Sequence, residues 1–280
     1  MAEPFGVVAG AISVSAAFTA CVDCFEYIQF GRHFGRDFQT DQLSLNCARL
    51  RLTRWGQAVD IFKDPRFGKP DDSATEIQTA KDTLLQILAL FADSEDISKK
   101  YKRGARTGED LTLSSPDDMD PTFSALENTM KKLALKRQKG THILKLTSWA
   151  LYHRSQLKEL IQSITLLIDN IERLFPAPHA QITLVRQEAA EISDKESLEL
   201  VAEAAKTVDG MLRNAAQEAL AGHRYLNVGI NRQAQTGDAY SSDWKGNTIG
   251  ASHTYDGVEI EKDGKALIGN KYGGKDFWDD

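Results

Sequence analysis

Three cysteines, Cys21, Cys24 and Cys47, carry the most reactive side chains of this 280-residue chain, and the first two share the C-x-x-C spacing of "CVDC". That spacing serves dithiol redox chemistry or one half of a zinc site. Here no second Cys/His pair completes four ligands, and the surrounding pattern is helical rather than strand–turn–helix. An odd cysteine count in a chain of this length argues against a disulfide framework and for a reducing compartment. The six histidines are dispersed. There is no P-loop, no G-x-G-x-x-G after a strand, no H-E-x-x-H and no G-x-S-x-G. Glu–Lys and Asp–Lys spacings on the helices read as solvated faces. The expectation is a protein that is not an enzyme, with no catalytic, cofactor-binding or metal-binding residues.

A second feature is physical rather than chemical. Residues 4–22, "PFGVVAGAISVSAAFTACV", carry no charge, and Glu3 is the only charge before them. A tilted transmembrane helix needs about 17–25 apolar residues, so this run sits at the lower limit. A secretory signal would require a basic leader, which is missing. Gly, Ala, Ser and Thr, Ala11 among them, outnumber the larger apolar residues Phe5, Val7, Val8, Ile12, Val14, Phe18 and Val22, and leucine is absent. Such a helix packs as readily into a protein core as into lipid. A buried N-terminal helix, continuing through residues 21–30, is the simplest reading.

The elements that must position it are helical up to about residue 221. Residues 42–62 set Leu43, Cys47, Leu50, Trp55, Val59 and Phe62 near one face, and residues 75–101 do the same with Ile77, Leu84, Leu88, Phe91 and Ile97. Pro70 and the Asp and Ser residues at 71–73 supply a boundary and a cap. A capped turn at 111–121 precedes a basic amphipathic helix at 122–139, and long helical periodicity over 141–175 is halted by Pro176 and Pro178. One last helix spans 194–221. The fold class is all-α, a bundle of seven to nine helices. The chain is mildly acidic, with a formal net charge of −6, and no basic stripe stands out, so nucleic acid is not an expected partner.

After Gly222 the composition turns to Gly, Asn, Asp, Ser and Thr, too polar to build a core alone, so disorder is the expectation for the monomer. Yet "LNVG" (226–229) and "ALIG" (266–269) share a pattern forty positions apart, within a faint two-copy repeat. A competing pairing sets 245–247 against 268–270. Strand units that cannot bury their apolar side alone suggest stacking with other copies, and chance similarity in a flexible tail is the open alternative. The residues placed in such a core are Leu226, Val228, Gly229, Tyr255, Val258, Leu267, Ile268, Gly269, Asn270, Phe277 and Trp278.

Three stretches carry a resemblance: "EPFGVVAGAISVSAAFTACVDCFEYIQFGRHFGRDF", "RLTRWGQAV" with "WALYHRSQLKELIQ", and the closing "ALIGNKYGGKDFWDD". The chain resembles the fungal HET-s/HET-S family over its whole length. The resemblance implies a HeLo domain at 1–221 and a prion-forming tail at 222–280, with an amyloid core that begins near residue 214 and so overlaps the last helix. The tail, disordered as a monomer, would form a two-rung amyloid β-solenoid. The implied function is a membrane-perforating cell-death effector in heterokaryon incompatibility: a templated tail disrupts the HeLo domain and releases the N-terminal segment. The alternative is a non-toxic amyloid or adaptor protein whose HeLo domain only modulates assembly. Asp23 and His33 are read as matching the toxic form. The implied partners are further copies of the chain (an amyloid homo-oligomer, with a HeLo dimer left open), prion-form relatives, an NLR-like receptor with a matching amyloid motif, and plasma-membrane lipids. The implied location is cytoplasmic at rest and the plasma membrane on activation.

Overall fold

The computed structural model describes residues 12–31, 36–67, 74–105, 111–114, 119–138, 148–192 and 194–221, and in the tail 224–226, 229–230, 233–237, 254–256, 258–262, 264–269 and 271. Phe5, Val7, Val8, Ala11, His33, Val228, Asn270, Phe277 and Trp278 lie outside them, as do Pro70 and the 71–73 cap.

The described residues form eight helices: α1 (Val14–Cys24), α2 (Arg36–Ala58), α3 (Thr75–Gly104), α4 (Pro121–Arg137), α5 (Arg154–Leu174), α6 (Pro178–Glu191), α7 (Lys195–Ala204) and α8 (Gly210–Ala221). The strongest amphipathic pattern is in α5, where Leu157, Leu160, Ile161, Ile164, Ile168 and Ile171 recur every three or four residues and all are buried. The central helix is α2, which packs against α4, α5, α6 and α7.

Several boundaries differ from the periodicity, each for a local reason. The first helix does not run on to residue 30. It ends at Cys24, passes through a 3₁₀ turn (Phe25–Tyr27) and becomes a strand, β1 (Ile28–Phe30), paired in parallel with β2 (Trp149–Leu151). The run 141–175 is therefore not one helix, because its hydrogen bonds at 149–151 go to β1. Pro178, which ends that periodicity, also opens α6 at a position where its missing N–H costs nothing. The final helix is two helices. Asp209 breaks it by capping α8, its Oδ1 accepting the Leu212 N–H at 3.1 Å. Asp194 caps α7 in the same way, accepting from Ser197 N at 2.7 Å. Ile97, placed on the core face by spacing, is exposed because the buried face of α3 there runs through Phe91, Glu95 and Ser98.

In the tail, six short strands pair in parallel: β3 (Arg224–Leu226) with β6 (Thr254–Asp256), β4 (Gly229–Ile230) with β7 (Glu259–Ile260), and β5 (Gln233–Thr236) with β8 (Lys265–Ile268). The offset is 30 residues in the first two pairs and 32 in the third. This corrects the forty-residue register: Leu226 faces Asp256, Gly229 faces Glu259, and Ala266–Ile268 face Ala234–Thr236. Gly237 and Gly269 occupy equivalent places after β5 and β8, and both have positive φ, 110° and 101°. A glycine adopts that corner without the steric cost any other side chain would meet.

Candidate functional site

The N-terminal helix is the element whose environment matters most. Its first turn is closed by Ser13, whose hydroxyl accepts the Ala16 N–H at 3.2 Å, and is tied to the loop beyond α2 by Ser15 N donating to the Phe67 carbonyl at 3.1 Å. Val14, Phe18 and Val22 are fully buried, and Ile12 packs against the same core. The Phe18 ring lies 5.7 Å from Phe62 edge-on and 6.2 Å from Trp55, directly over Gly56. A Cβ on Gly56 would run into the Phe18 ring, so glycine is what lets the two helices approach. Further along, Cys21 donates its thiol to the Leu84 carbonyl, and Phe25 meets Phe91 edge-on at 5.0 Å.

The cysteines of "CVDC" are thus packing residues on a buried face. All three thiols are free. Burial pushes Cys21, Cys24 and Cys47 above the ordinary thiol range, and the nearby carboxylates push the same way (Asp23 for the first pair, Asp209 and Glu188 for Cys47), so each is a neutral, unreactive thiol. Asp23 is buried between them and accepts a hydrogen bond from the Gln138 side chain at the end of α4. Among the described residues no cluster of three or more His, Cys, Asp or Glu side chains is arranged to hold a metal ion.

On the opposite side of α2 lies a feature that periodicity did not disclose. Arg54 is buried, yet it donates to Glu188 of α6 and to Asp209 at the head of α8, each at 2.5 Å. Glu188 also receives Arg137 from α4. One turn earlier, Arg51 donates to the Val208 carbonyl at 2.8 Å and pairs with Asp169, at 2.6 Å, and with Glu172. Burial opposes the Arg54 charge, but Asp209 and Glu188 more than offset it and hold the guanidinium above the usual arginine range. At Glu188 burial prevails over both arginines, leaving its carboxyl above the ordinary glutamate range. Residues 51–56 of α2 therefore grip α8 with one face and seat Phe18 of α1 with the next. The signal in the sequence is the i, i+3 pair Arg51 and Arg54 set among Leu50, Leu52 and Trp55, since charges on a buried stretch must be paired.

In the tail, Gly229 is exposed, Val258, Leu267 and Gly269 are half-buried, and Ile268 is exposed, while Leu226 and Tyr255 sit in strands facing Asp256 and Tyr225. The inward position expected for Ile268 is thus not met in the single chain. Ile230, absent from the expected core, is the buried one. The true repeat is His-x-Tyr-x-x-Val-x-Ile at 223–230 and 253–260, followed by Ala-x-x-Gly at 234–237 and 266–269. A two-residue insertion in the second copy hides it.

A helical bundle with a buried, small-residue first helix and a paired two-copy tail defines the class. The "Prion-inhibition and propagation" (HeLo) family model matches residues 6–201, and the chain belongs to that family. It is 37% identical over 289 residues, spanning the full length of both, to heterokaryon incompatibility protein S of Podospora anserina. To heterokaryon incompatibility protein s of the same fungus it is 36% identical over 296 residues, again at full length. The solved HET-s N-terminal domain superposes with a TM-score of 0.71 at 38% identity, covering 74% of this chain and 96% of that one. A variant of that domain, with an aspartate changed to alanine and a proline to histidine, superposes with a TM-score of 0.70 at 38% identity over 73% and 97% of the two chains.

Proposed function

We propose that this chain is a non-enzymatic cell-death effector of heterokaryon incompatibility in which conversion of the tail to amyloid frees the N-terminal segment to enter a membrane. The functional unit divides near residue 221, with the amyloid core reaching back to about 214. The observation that carries the reading is the double grip of α2. Residues 214–221 are helical in α8, and the same residues cannot be helix and cross-β strand at once. Recruiting them pulls at the α7–α8 turn, where Val208 and Asp209 hold Arg51 and Arg54. Losing Asp209 leaves a buried guanidinium short of a carboxylate, and breaking such a pair costs about 3–5 kcal/mol. That is a large part of a typical domain stability of about 5–15 kcal/mol. The disturbed turn of α2 is the one that seats Phe18.

No described helix is long and apolar enough to cross a membrane. The 11 residues of α1 span about 16 Å as a helix. The uncharged run 4–22, helical throughout, would span about 28 Å, close to the hydrocarbon thickness of about 30 Å. Phe5, Val7, Val8, Ala11, Ile12, Val14, Phe18 and Val22 are the residues proposed to meet lipid. The tail, templated by prion-form relatives or by an NLR-like receptor bearing the same motif, builds a two-rung β-solenoid from the strand pairs, with Val228, Tyr255 and Val258 among its core. The protein rests in the cytoplasm and acts at the plasma membrane.

A specific observation favours the second reading, an adaptor whose HeLo domain only modulates assembly. Asp23 is a buried carboxylate that directly follows the segment and is tied to Gln138, so releasing α1 has to break that bond. The solved variant of the relative exchanges an aspartate for alanine and a proline for histidine at positions numbered as Asp23 and His33 are here. Liposome leakage with the full chain, with and without seeded tail fibrils, separates the two readings. The effector leaks vesicles on seeding, and Ala11→Lys abolishes leakage while the domain melts normally and fibrils still form. An adaptor forms fibrils without leakage. Val14→Lys is unsuited as a probe, because Val14 is buried in the resting bundle.

A further inference from the structure

The helix proposed to leave the bundle is followed at once by a short stretch, "FEYIQFG" at 25–31, that is held in a different way. Outside its own helical bonds, α1 is tied by the Ser15 N–H to the Phe67 carbonyl, by the Cys21 thiol to Leu84 and at its end by Gln138 to Asp23. Its main hold is a buried apolar face, and apolar packing is what a bilayer can replace. Residues 28–31 are instead bonded through their backbone along both edges. On one edge β1 runs parallel to β2, and the Gly31 N–H continues that ladder to the Leu151 carbonyl at 2.9 Å. On the other edge the Phe30 carbonyl accepts the Ser114 N–H at 2.7 Å, and Gly31 forms an antiparallel bridge with Leu113. Phe30 also meets Phe38 edge-on at 5.0 Å.

A buried charge completes the clamp. Arg49 of α2 is 1% exposed, and its Nη2 donates to Glu26 in the 3₁₀ turn at 2.6 Å. Its Nε and Nη1 have no hydrogen-bond partner among the described residues, so Glu26 is the carboxylate that compensates this guanidinium. Drawing Glu26 away would strand a buried charge. Drawing residues 28–31 into lipid would strand backbone groups that hydrocarbon cannot satisfy.

Such a clamp also serves ordinary cohesion of the bundle, but cohesion does not account for the choice of partners. None of the bonds just named reaches α6, α7 or α8, the elements at or next to the proposed amyloid core. The Ala150 carbonyl of β2 accepts the Ser98 hydroxyl of α3, and β2 packs on α3 and α5. The clamp is therefore built on the part of the bundle farthest along the chain of contacts from α8.

We infer that residues 25–31 are an anchor that stays on the folded remainder when α1 leaves, with the hinge at Asp23–Phe25 and Arg49 as the positioning residue. The released piece then ends where the uncharged run ends, at Val22, and Glu26 keeps its arginine outside the bilayer. The inserted helix stays joined to the protein through a fixed point. This step rests on the effector reading above and adds to it where the moving segment stops.

The test is hydrogen exchange of the full chain, followed by mass spectrometry, at rest and after addition of tail fibrils, without vesicles. After tail conversion, peptides covering 14–22 should lose their protection while residues 28–31 keep theirs. Glu26→Gln, which leaves Arg49 without a carboxylate, should speed exchange at 28–31 in the seeded protein by about tenfold or more, with residues 157–171 of α5 unchanged as internal control. An unchanged rate at 28–31 in that variant would overturn the role given to Arg49. A second measurement uses Gln29→Cys with Ala150→Cys, register partners across the clamp. Seeded leakage from phosphatidylcholine–phosphatidylserine vesicles should be the same with that disulfide formed or reduced. Leakage lost on oxidation and restored by dithiothreitol, or exchange at 28–31 as fast as at 14–22, overturns the anchor and leaves the effector reading standing. Protection kept at both stretches through complete tail conversion overturns the effector reading, and the anchor with it.

Discussion

The bundle and the tail solve the burial of apolar side chains in opposite ways. In the bundle every large core residue is covered by the same chain: Phe18, Trp55, Phe91 and Ile164 are at most 1% exposed. In the tail, coverage depends on the copy. Ile230 and Ile260 are register partners in β4 and β7, yet the first is 2% exposed and the second 47%. Ile268 of β8 is likewise exposed. A helical bundle closes on itself, whereas a two-copy ladder always ends on an open copy. The chain next in line is what would cover it, which is the physical basis of templating. On the function proposed above, the end of α8 has a claim in both regions.

The sharpest way to break this comparison is in the tail. Ile230→Asp should stop fibril growth, because an unpaired carboxylate at a buried ladder position costs several kcal/mol in every molecule added. Ile268→Asp, at a position open in the single chain, should slow growth less, and neither should shift melting of the bundle. Thioflavin fluorescence of purified protein is the readout, and elongation of Ile230→Asp at the wild-type rate would show that the fibril does not use these strand pairs. In the bundle, Asp209→Ala removes both a partner of Arg54 and the cap of α8. A loss of about 3–5 kcal/mol is expected, or a melting temperature lower by roughly 10 °C, with fibrils forming sooner after seeding. Gly56→Ala is milder. Its Cβ would press on the buried Phe18 ring, and overpacking by about 1–3 kcal/mol is offset by about 1 kcal/mol of helix propensity gained, so a net loss of up to about 2 kcal/mol should appear with α1 loosened. The smallest effect is on alkaline stability. The folded thiols titrate above the ordinary value of 9.0, so their contribution is complete below pH 9.0 and is lost as pH rises beyond it. The melting temperature should begin to fall above that pH, less so in Cys47→Ala after allowance for its offset at neutral pH.

Much of the bundle was legible because its helices bury one stripe each, as Leu84, Leu88 and Phe91 do in α3. The burial of Val14, Phe18 and Val22 followed from an uncharged run too small-sided for lipid alone. What periodicity could not show depends on pairing between distant segments. The β1–β2 pair joins residues more than a hundred positions apart, and only that pairing turns part of an apparent helix into strand. The Arg51 and Arg54 grip was hidden for the same reason, since its acids come from α5, α6 and the α7–α8 turn. The break at Asp209 had a local signal in the weak helix formers Thr207, Val208 and Gly210, which the Ala-, Glu- and Leu-rich stretches further out on both sides overrode. In the tail, the repeat was visible, but matching the Gly-ended stretches 226–229 and 266–269 set β3 and β4 against β8, ten residues out of the observed 30-residue register.

If tail conversion unseats α1 through α2, the buried cysteines become exposed in a set order. The full chain is treated with N-ethylmaleimide in the absence of vesicles, at rest and after addition of tail fibrils, and alkylation at each cysteine is followed by mass spectrometry. At rest all three thiols should be protected, since each is buried. After seeding, Cys47, which lies within the field of Asp209 and Glu188, should become reactive as α8 is drawn away, with Cys21 and Cys24 following as α1 leaves its seat. Tail conversion that runs to completion while Cys21 and Cys24 stay protected would contradict the account.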